Sequence, residues 1–275
     1  MKTSNPVLSR LGQAAERERT AGYGAYGPAG AAPGYGQPYP GASDYPAAPP
    51  AVQPMTVDDV VVKTVTLLGI TGVSAVVAWN VIPEALTGAA WIGAAVIGLV
   101  LGLVISFMRM ANPALIVGYA VVEGVFVGMA SKVFSVIAGY QGVVLQAVIA
   151  TFGVFFLTAF LYKAKVIRAT PKFQRGMIIV MGGLFAVMLI NIVLSLFGFN
   201  TGLRDNGPLG YIFSIVCIVV AALSFILSFN EVEEGVRAGL PARYSWVAAF
   251  GILVSLVWLY LEILRLLSFL QGGDD

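Results

Sequence analysis

The chain contains no histidine, which removes imidazole metal ligation and histidine-based pH switching and leaves carboxylates as the groups able to serve either purpose. Its single cysteine, Cys217, excludes an intrachain disulfide and reads as a small buried residue within an apolar run. Charged residues make up only 11% of the 275 positions, against 58% hydrophobic ones, a balance outside that of soluble globular domains. A formal charge of +2 offers no electrostatic footprint for nucleic acid. Also missing are a Gly-x-Ser-x-Gly elbow, a histidine-containing zinc motif and a phosphate-cradling Gly-x-x-x-x-Gly-Lys-Ser/Thr loop, so an enzyme is not expected. No catalytic residue, cofactor or firm metal site is assigned.

What is present is apolar length. With a mean hydropathy of +0.87, the sequence predicts an all-α membrane protein, a seven-transmembrane-helix bundle with a disordered N-terminal tail. The expected spans are Val60–Ile82, Trp91–Met108, Ala114–Val136, Val143–Tyr162, Met177–Phe199, Pro208–Phe229 and Trp246–Phe269, each near the roughly 20 residues that cross a bilayer. Between them lie Pro83-Glu84, Asn112-Pro113, Gly139-Tyr140-Gln141-Gly142, Pro171-Lys172, Asn200-Thr201-Gly202 and Gly239-Leu240-Pro241, all loop signals. Asp205 reads as a turn residue in the fifth of these loops.

Residues 1–54, rich in Gly, Ala, Pro and Tyr, are expected to be a disordered cytoplasmic tail; 55–271 form the transmembrane domain and 272–275 a short C-terminal tail. The tail lacks the features of a signal peptide and is expected to stay on the protein. Orientation follows from the basic residues. Lys2, Arg10, Arg17 and Arg19, then Arg109, then Lys163, Lys165, Arg168, Lys172 and Arg175, then Arg237 and Arg243 fall on one side of an alternating bundle. That side is expected to be cytoplasmic, with the C-terminus outside.

Three acidic features could carry chemistry. Glu123 sits near the middle of the third span, one turn after Tyr119, which can donate a hydrogen bond to it, while Lys132 is an alternative partner. Asn230-Glu231-Val232-Glu233-Glu234 closes the sixth span and reads either as a solvated helix end or as a source of a functional acid at Glu231 or Glu233. Glu262 lies inside the last span, with Arg265 at i+3. An ionised carboxylate at the centre of a membrane helix costs roughly 2.5–3.5 kcal/mol on insertion scales, so such an acid is expected to be neutral, paired or facing a polar cavity. Protonation between about pH 5 and 8 would then break an interhelical contact and change access to a cavity. Ionised, the same oxygens suit a hard cation such as calcium, at a weak site and not in a rigid cage. Gly98-x-x-x-Gly102 and Gly124-x-x-x-Gly128 read as close helix packing.

Seven spans, Glu123-Gly124-x-x-x-Gly128 and above all Leu259-Tyr260-Leu261-Glu262-Ile263-Leu264-Arg265-Leu266-Leu267 resemble the Bax inhibitor-1 (transmembrane Bax inhibitor motif) family, in particular its bacterial branch. The likeness covers about residues 57–270, and the Gly/Pro/Tyr tail is similar to that of actinobacterial members. The resemblance implies a pH-sensitive calcium leak across the bacterial inner membrane, sensed by an aspartate pair on the last two helices. It also implies an alternative, a non-conducting regulator of a membrane-bound protease or stress-response complex. Glu262 corresponds to one sensor aspartate, and Asn230 stands after Phe229 where the other is expected, so a pair would need Glu231 or Glu233 instead. Measured from Pro241, Glu231 and Glu262 differ in height by roughly 16 Å in straight helices, which opposes direct contact and leaves Glu123 and Arg265 as equal candidates to partner Glu262.

Overall fold

A computed structural model describes residues 53–108, 112–140, 142–199, 201–203 and 207–272. Apart from Gln53 and Pro54, the expected tail lies outside these residues, as do Arg109, Arg204, Asp205 and 273–275. The described chain forms helices α1 (Val57–Val81), α2 (Thr87–Met108), α3 (Pro113–Lys132), α4 (Val143–Lys163), α5 (Pro171–Leu196), α6 (Pro208–Arg237) and α7 (Tyr244–Gln271). A short 3-10 turn, Glu84–Leu86, precedes α2, and a π turn, Val133–Ile137, extends α3. Among the described residues, seven helices are long and apolar enough to cross a membrane, as the sequence predicts.

Most helices begin earlier, and α6 ends later, than the apolar windows suggest, because caps and polar end turns need not be apolar. Thr56 and Asp59 form a reciprocal capping box: the Asp59 amide donates to Thr56 Oγ1 at 3.1 Å and the Thr56 amide to Asp59 Oδ2 at 3.2 Å. Asn112 and Thr170 cap α3 and α5, each ahead of a proline at the first helical position, where no backbone donor is missed. α6 likewise starts on Pro208 and continues eight residues past Phe229 to Arg237, carrying the acidic cluster on regular helix. Gly239, at φ +62°, turns the chain into α7.

Helix association in a bilayer relies on close packing and polar contacts, since the surrounding lipid is as apolar as the core. α7 is the most enclosed helix and contacts α1, α3, α4 and α6; α5 packs chiefly on α6. α1 and α3 approach through Gly124 and Gly128. A Cβ at Gly124 would lie 2.4 Å from the Thr71 carbonyl oxygen, and one at Gly128 2.5 Å from that of Ala75. Thr71 Oγ1 donates to the Ala120 carbonyl at 3.1 Å and Ser74 Oγ to that of Val121 at 2.7 Å, tying the same two backbones. The other glycine pair does something different. Gly98 and Gly102 of α2 make room for side chains of α3, with Cβ positions 3.3 Å from Glu123 Oε2 and 3.5 Å from the Tyr119 ring.

The start of α1 is strapped to the α6–α7 turn. Pro54 and Pro241 form an antiparallel bridge, the Met55 amide donates to the Leu240 carbonyl at 2.6 Å, and the Ala242 amide donates to that of Gln53 at 2.8 Å. Lys63, three residues inside an expected span, reaches the same turn: its Nζ donates to the Ala242 carbonyl at 3.0 Å and to Ser245 Oγ at 2.5 Å. The end of α6 and the beginning of α1 therefore lie on one side of the bundle.

Candidate functional site

Two pairings fix the register of the last two helices. Ser224 Oγ of α6 donates to Ser255 Oγ of α7 at 3.2 Å, and Arg265 Nε and Nη2 donate to Ser214 Oγ at 3.2 and 3.1 Å. The helices run antiparallel without slippage between these points, so Glu262 is level with Cys217, far from the acidic end of α6. Glu231 lies seventeen residues beyond Ser214, about 25 Å along a straight helix. The structure thus keeps Glu262 apart from Glu231 and Glu233, and no carboxyl pair forms between the last two helices.

The partner of Glu262 is Arg265. Nη2 donates to Glu262 Oε2 at 2.5 Å, with both residues buried, and the guanidinium lies over the Phe213 ring at 5.8 Å from its centre. One cation thereby bridges the acid of α7 and the hydroxyl of α6, using a fork of donors that lysine lacks. Lys132 is engaged elsewhere. Its Nζ donates to the Trp79 and Ile82 carbonyls at 2.9 and 2.6 Å, where a cation satisfies the open carbonyls at the end of α1. Glu123 is nine residues away, about 13 Å of helix rise, so the Lys132–Glu123 pairing does not occur.

Glu123 instead interacts with its other expected partner, Tyr119, one turn earlier on α3. Both line a cavity of about 510 Å³ bounded by α2, α3, α5, α6 and α7. Glu231 shares this cavity, as do Ser106, Ser224, Ser228 and Ser255. The acidic cluster of α6 is therefore divided. Glu231, although exposed, lines the cavity, whereas Asn230 Nδ2 donates to Glu234 Oε1 at 2.7 Å, and half-buried Glu233 pairs with Arg237 at 3.2 Å.

Along α7, Ser131 and Tyr119 of α3 sit beside Tyr260 and Phe250, with hydroxyls 2.7 Å and ring centres 4.9 Å apart. By these pairings Glu231, Glu123 and the Ser224–Ser255 bond follow one another from the α6–α7 turn into the bundle. Glu262 comes seven residues after Ser255, about 10 Å further on. Among the described residues no three carboxylate or thiol side chains converge as a metal-binding group. Neither the serines nor Lys63 stand out in the sequence. Their only signal is a polar residue inside an apolar run, which for serine is common.

Seven apolar helices around an intramembrane ion pair and an acid- and hydroxyl-lined cavity define a polytopic α-helical membrane protein. The chain belongs to the Bax inhibitor 1 like family, whose family model matches residues 5–272. A comparison with curated proteins gives no match.

Proposed function

We propose that the protein is a pH-sensitive cation leak of the bacterial inner membrane, with calcium as the transported ion and no catalytic activity, and with its N-terminus cytoplasmic. The reading rests on one observation above all: Glu123 of α3 and Glu231 of α6 line the same cavity together with four serine side chains. Oxygen donors from several helices suit a hard cation, and two carboxylates without a closed cage suit passage better than storage. The basic residues near this end of the bundle support its placement on the cytoplasmic side. Deeper in, Arg265 joins Glu262 to Ser214 and holds α6 against α7. In this scheme a falling pH neutralises Glu262, deprives Arg265 of its anionic partner and loosens the α6–α7 contact, connecting the cavity to the far side.

Purified protein in liposomes loaded with a calcium dye, stepped between about pH 8 and 5, tests this reading. Flux should rise as pH falls. Glu262→Gln retains an acceptor for Arg265 but no charge, and should lose the rise in flux that wild type shows as pH falls. Glu123→Gln and Glu231→Gln should each reduce flux at every pH, with the double variant lowest. Absence of flux throughout the range sinks the leak. The second reading, a non-conducting regulator of a membrane protease or stress-response complex, draws on the strap that ties the root of the N-terminal segment to the α6–α7 turn. It predicts the same cellular phenotype for wild type and for flux-dead Glu123→Gln/Glu231→Gln.

A further inference from the structure

A second cavity, of about 560 Å³, lies on another side of the bundle, where α1 and α4 part and α3 and α7 form the floor. Its α1 wall runs from Leu68 to Asn80, about 18 Å of helix rise. That is slightly more than half of the roughly 30 Å hydrocarbon thickness of a bilayer. One end, at Trp79 and Asn80, coincides with the end of α1, the level at which tryptophan prefers the headgroup boundary. The groove therefore extends from one membrane interface to about the bilayer middle, the depth occupied by one leaflet.

Its chemistry is apolar in spite of several hydroxyls, because each is turned back into the protein. Thr71 Oγ1 donates to the Ala120 carbonyl, Thr151 Oγ1 to that of Ala147 at 2.7 Å, and Ser131 Oγ to that of Val127 at 2.6 Å. Ser131 Oγ and the Tyr260 hydroxyl are bonded to each other, and Asn80 Nδ2 donates to the Val76 carbonyl at 2.8 Å. These donors are already used within the protein and, unlike the first cavity, the groove is lined by no charged side chain among the described residues, so its walls favour a nonpolar occupant over an ion. Its length and its apolar walls match a hydrocarbon chain, whose carbons pack against such walls at about 4 Å.

We propose that this groove binds one acyl chain of a membrane phospholipid from the leaflet at the α1 C-terminal end, as a site separate from the carboxylate cavity. Gly72 supplies the means of testing it. It lines the groove, and a Cβ built there meets nothing within 4 Å, so the position is open to a side chain directed at the groove. Gly93 of α2 is equally open but lies outside the groove.

Full-length protein purified in mild detergent is titrated with phosphatidylglycerol and bound lipid is counted by native mass spectrometry. Wild type and Gly93→Leu should each hold one tightly bound phospholipid per chain. Gly72→Leu should bind it about tenfold more weakly, equivalent to about 1.4 kcal/mol. Val148→Phe fills the same groove from α4 and carries the test should Gly72→Leu fail to fold. Equal lipid binding by wild type and a folded groove-filling variant overturns the proposal. So does a lipid-free wild-type dimer that Gly72→Leu converts to monomer, since a second copy would then be the occupant.

Discussion

Replacing Arg265 with methionine should destabilise the folded protein by about 3–5 kcal/mol, the cost of leaving one member of a buried ion pair without its partner. The large effect follows from position. Glu262 and Arg265 are both buried, and the guanidinium also donates to Ser214 on the neighbouring helix. Loss of Arg265 therefore removes both the countercharge and a contact between α6 and α7. The same reasoning predicts recovery in Arg265→Met/Glu262→Leu, because a well-packed apolar pair of similar volume avoids desolvating two charges. Thermal unfolding of the four proteins of this double-mutant cycle in one detergent gives the coupling directly. Additive losses in the double variant would show that the pair does not act as a unit. The destabilisation of Arg265→Met should also shrink as assay pH is lowered, since protonation removes the orphaned charge.

At Gly124 and Gly128, substitution by alanine should cost about 1–3 kcal/mol each, and by leucine enough to prevent assembly of α1 with α3. The atoms in the way are backbone: the Thr71 carbonyl oxygen at 2.4 Å from the Gly124 position and the Ala75 carbonyl oxygen at 2.5 Å from that of Gly128. Neither can rotate aside, so the helices must separate. Separation would also break the hydroxyl bonds from Thr71 to Ala120 and from Ser74 to Val121. Gly72→Ala and Gly93→Ala provide the contrast. Both positions are open, and replacing a helical glycine there should be neutral or stabilising by up to about 1 kcal/mol. Unfolding temperatures in detergent compare the four variants. Equal effects at all four positions would exclude close backbone packing as the cause.

These two regions differ in how well the sequence reveals them. Glu262 and Arg265 are three residues apart on one helix, so their pairing requires only helix geometry. Tyr119 and Glu123, one turn apart, are equally local. Lys132 shows the limit of such reasoning, because the sequence offers Glu123 on the same helix as its partner although the two are nine residues apart. The carbonyls of Trp79 and Ile82 win by tertiary proximity. Glycine spacing behaves similarly. The two Gly-x-x-x-Gly patterns look alike in sequence, yet Gly124 and Gly128 admit a backbone whereas Gly98 and Gly102 admit the side chains of Glu123 and Tyr119.

The sequence by itself determined a seven-helix membrane bundle, because span length and hydropathy are properties of each segment alone, and it offered Arg265 as one local partner for Glu262. Only the tertiary structure decided which distant groups meet. Register between α6 and α7 places Ser214, not an acid, beside the Glu262–Arg265 pair, because helices joined by a short turn keep equal heights and Glu231 is too near that turn. Packing among α2, α3, α5, α6 and α7 brings Glu123 and Glu231 to one cavity, and the parting of α1 from α4 leaves an apolar groove that no periodicity encodes. Both are properties of surfaces contributed by separate helices, whose relative rotation is set by side-chain packing across the whole bundle.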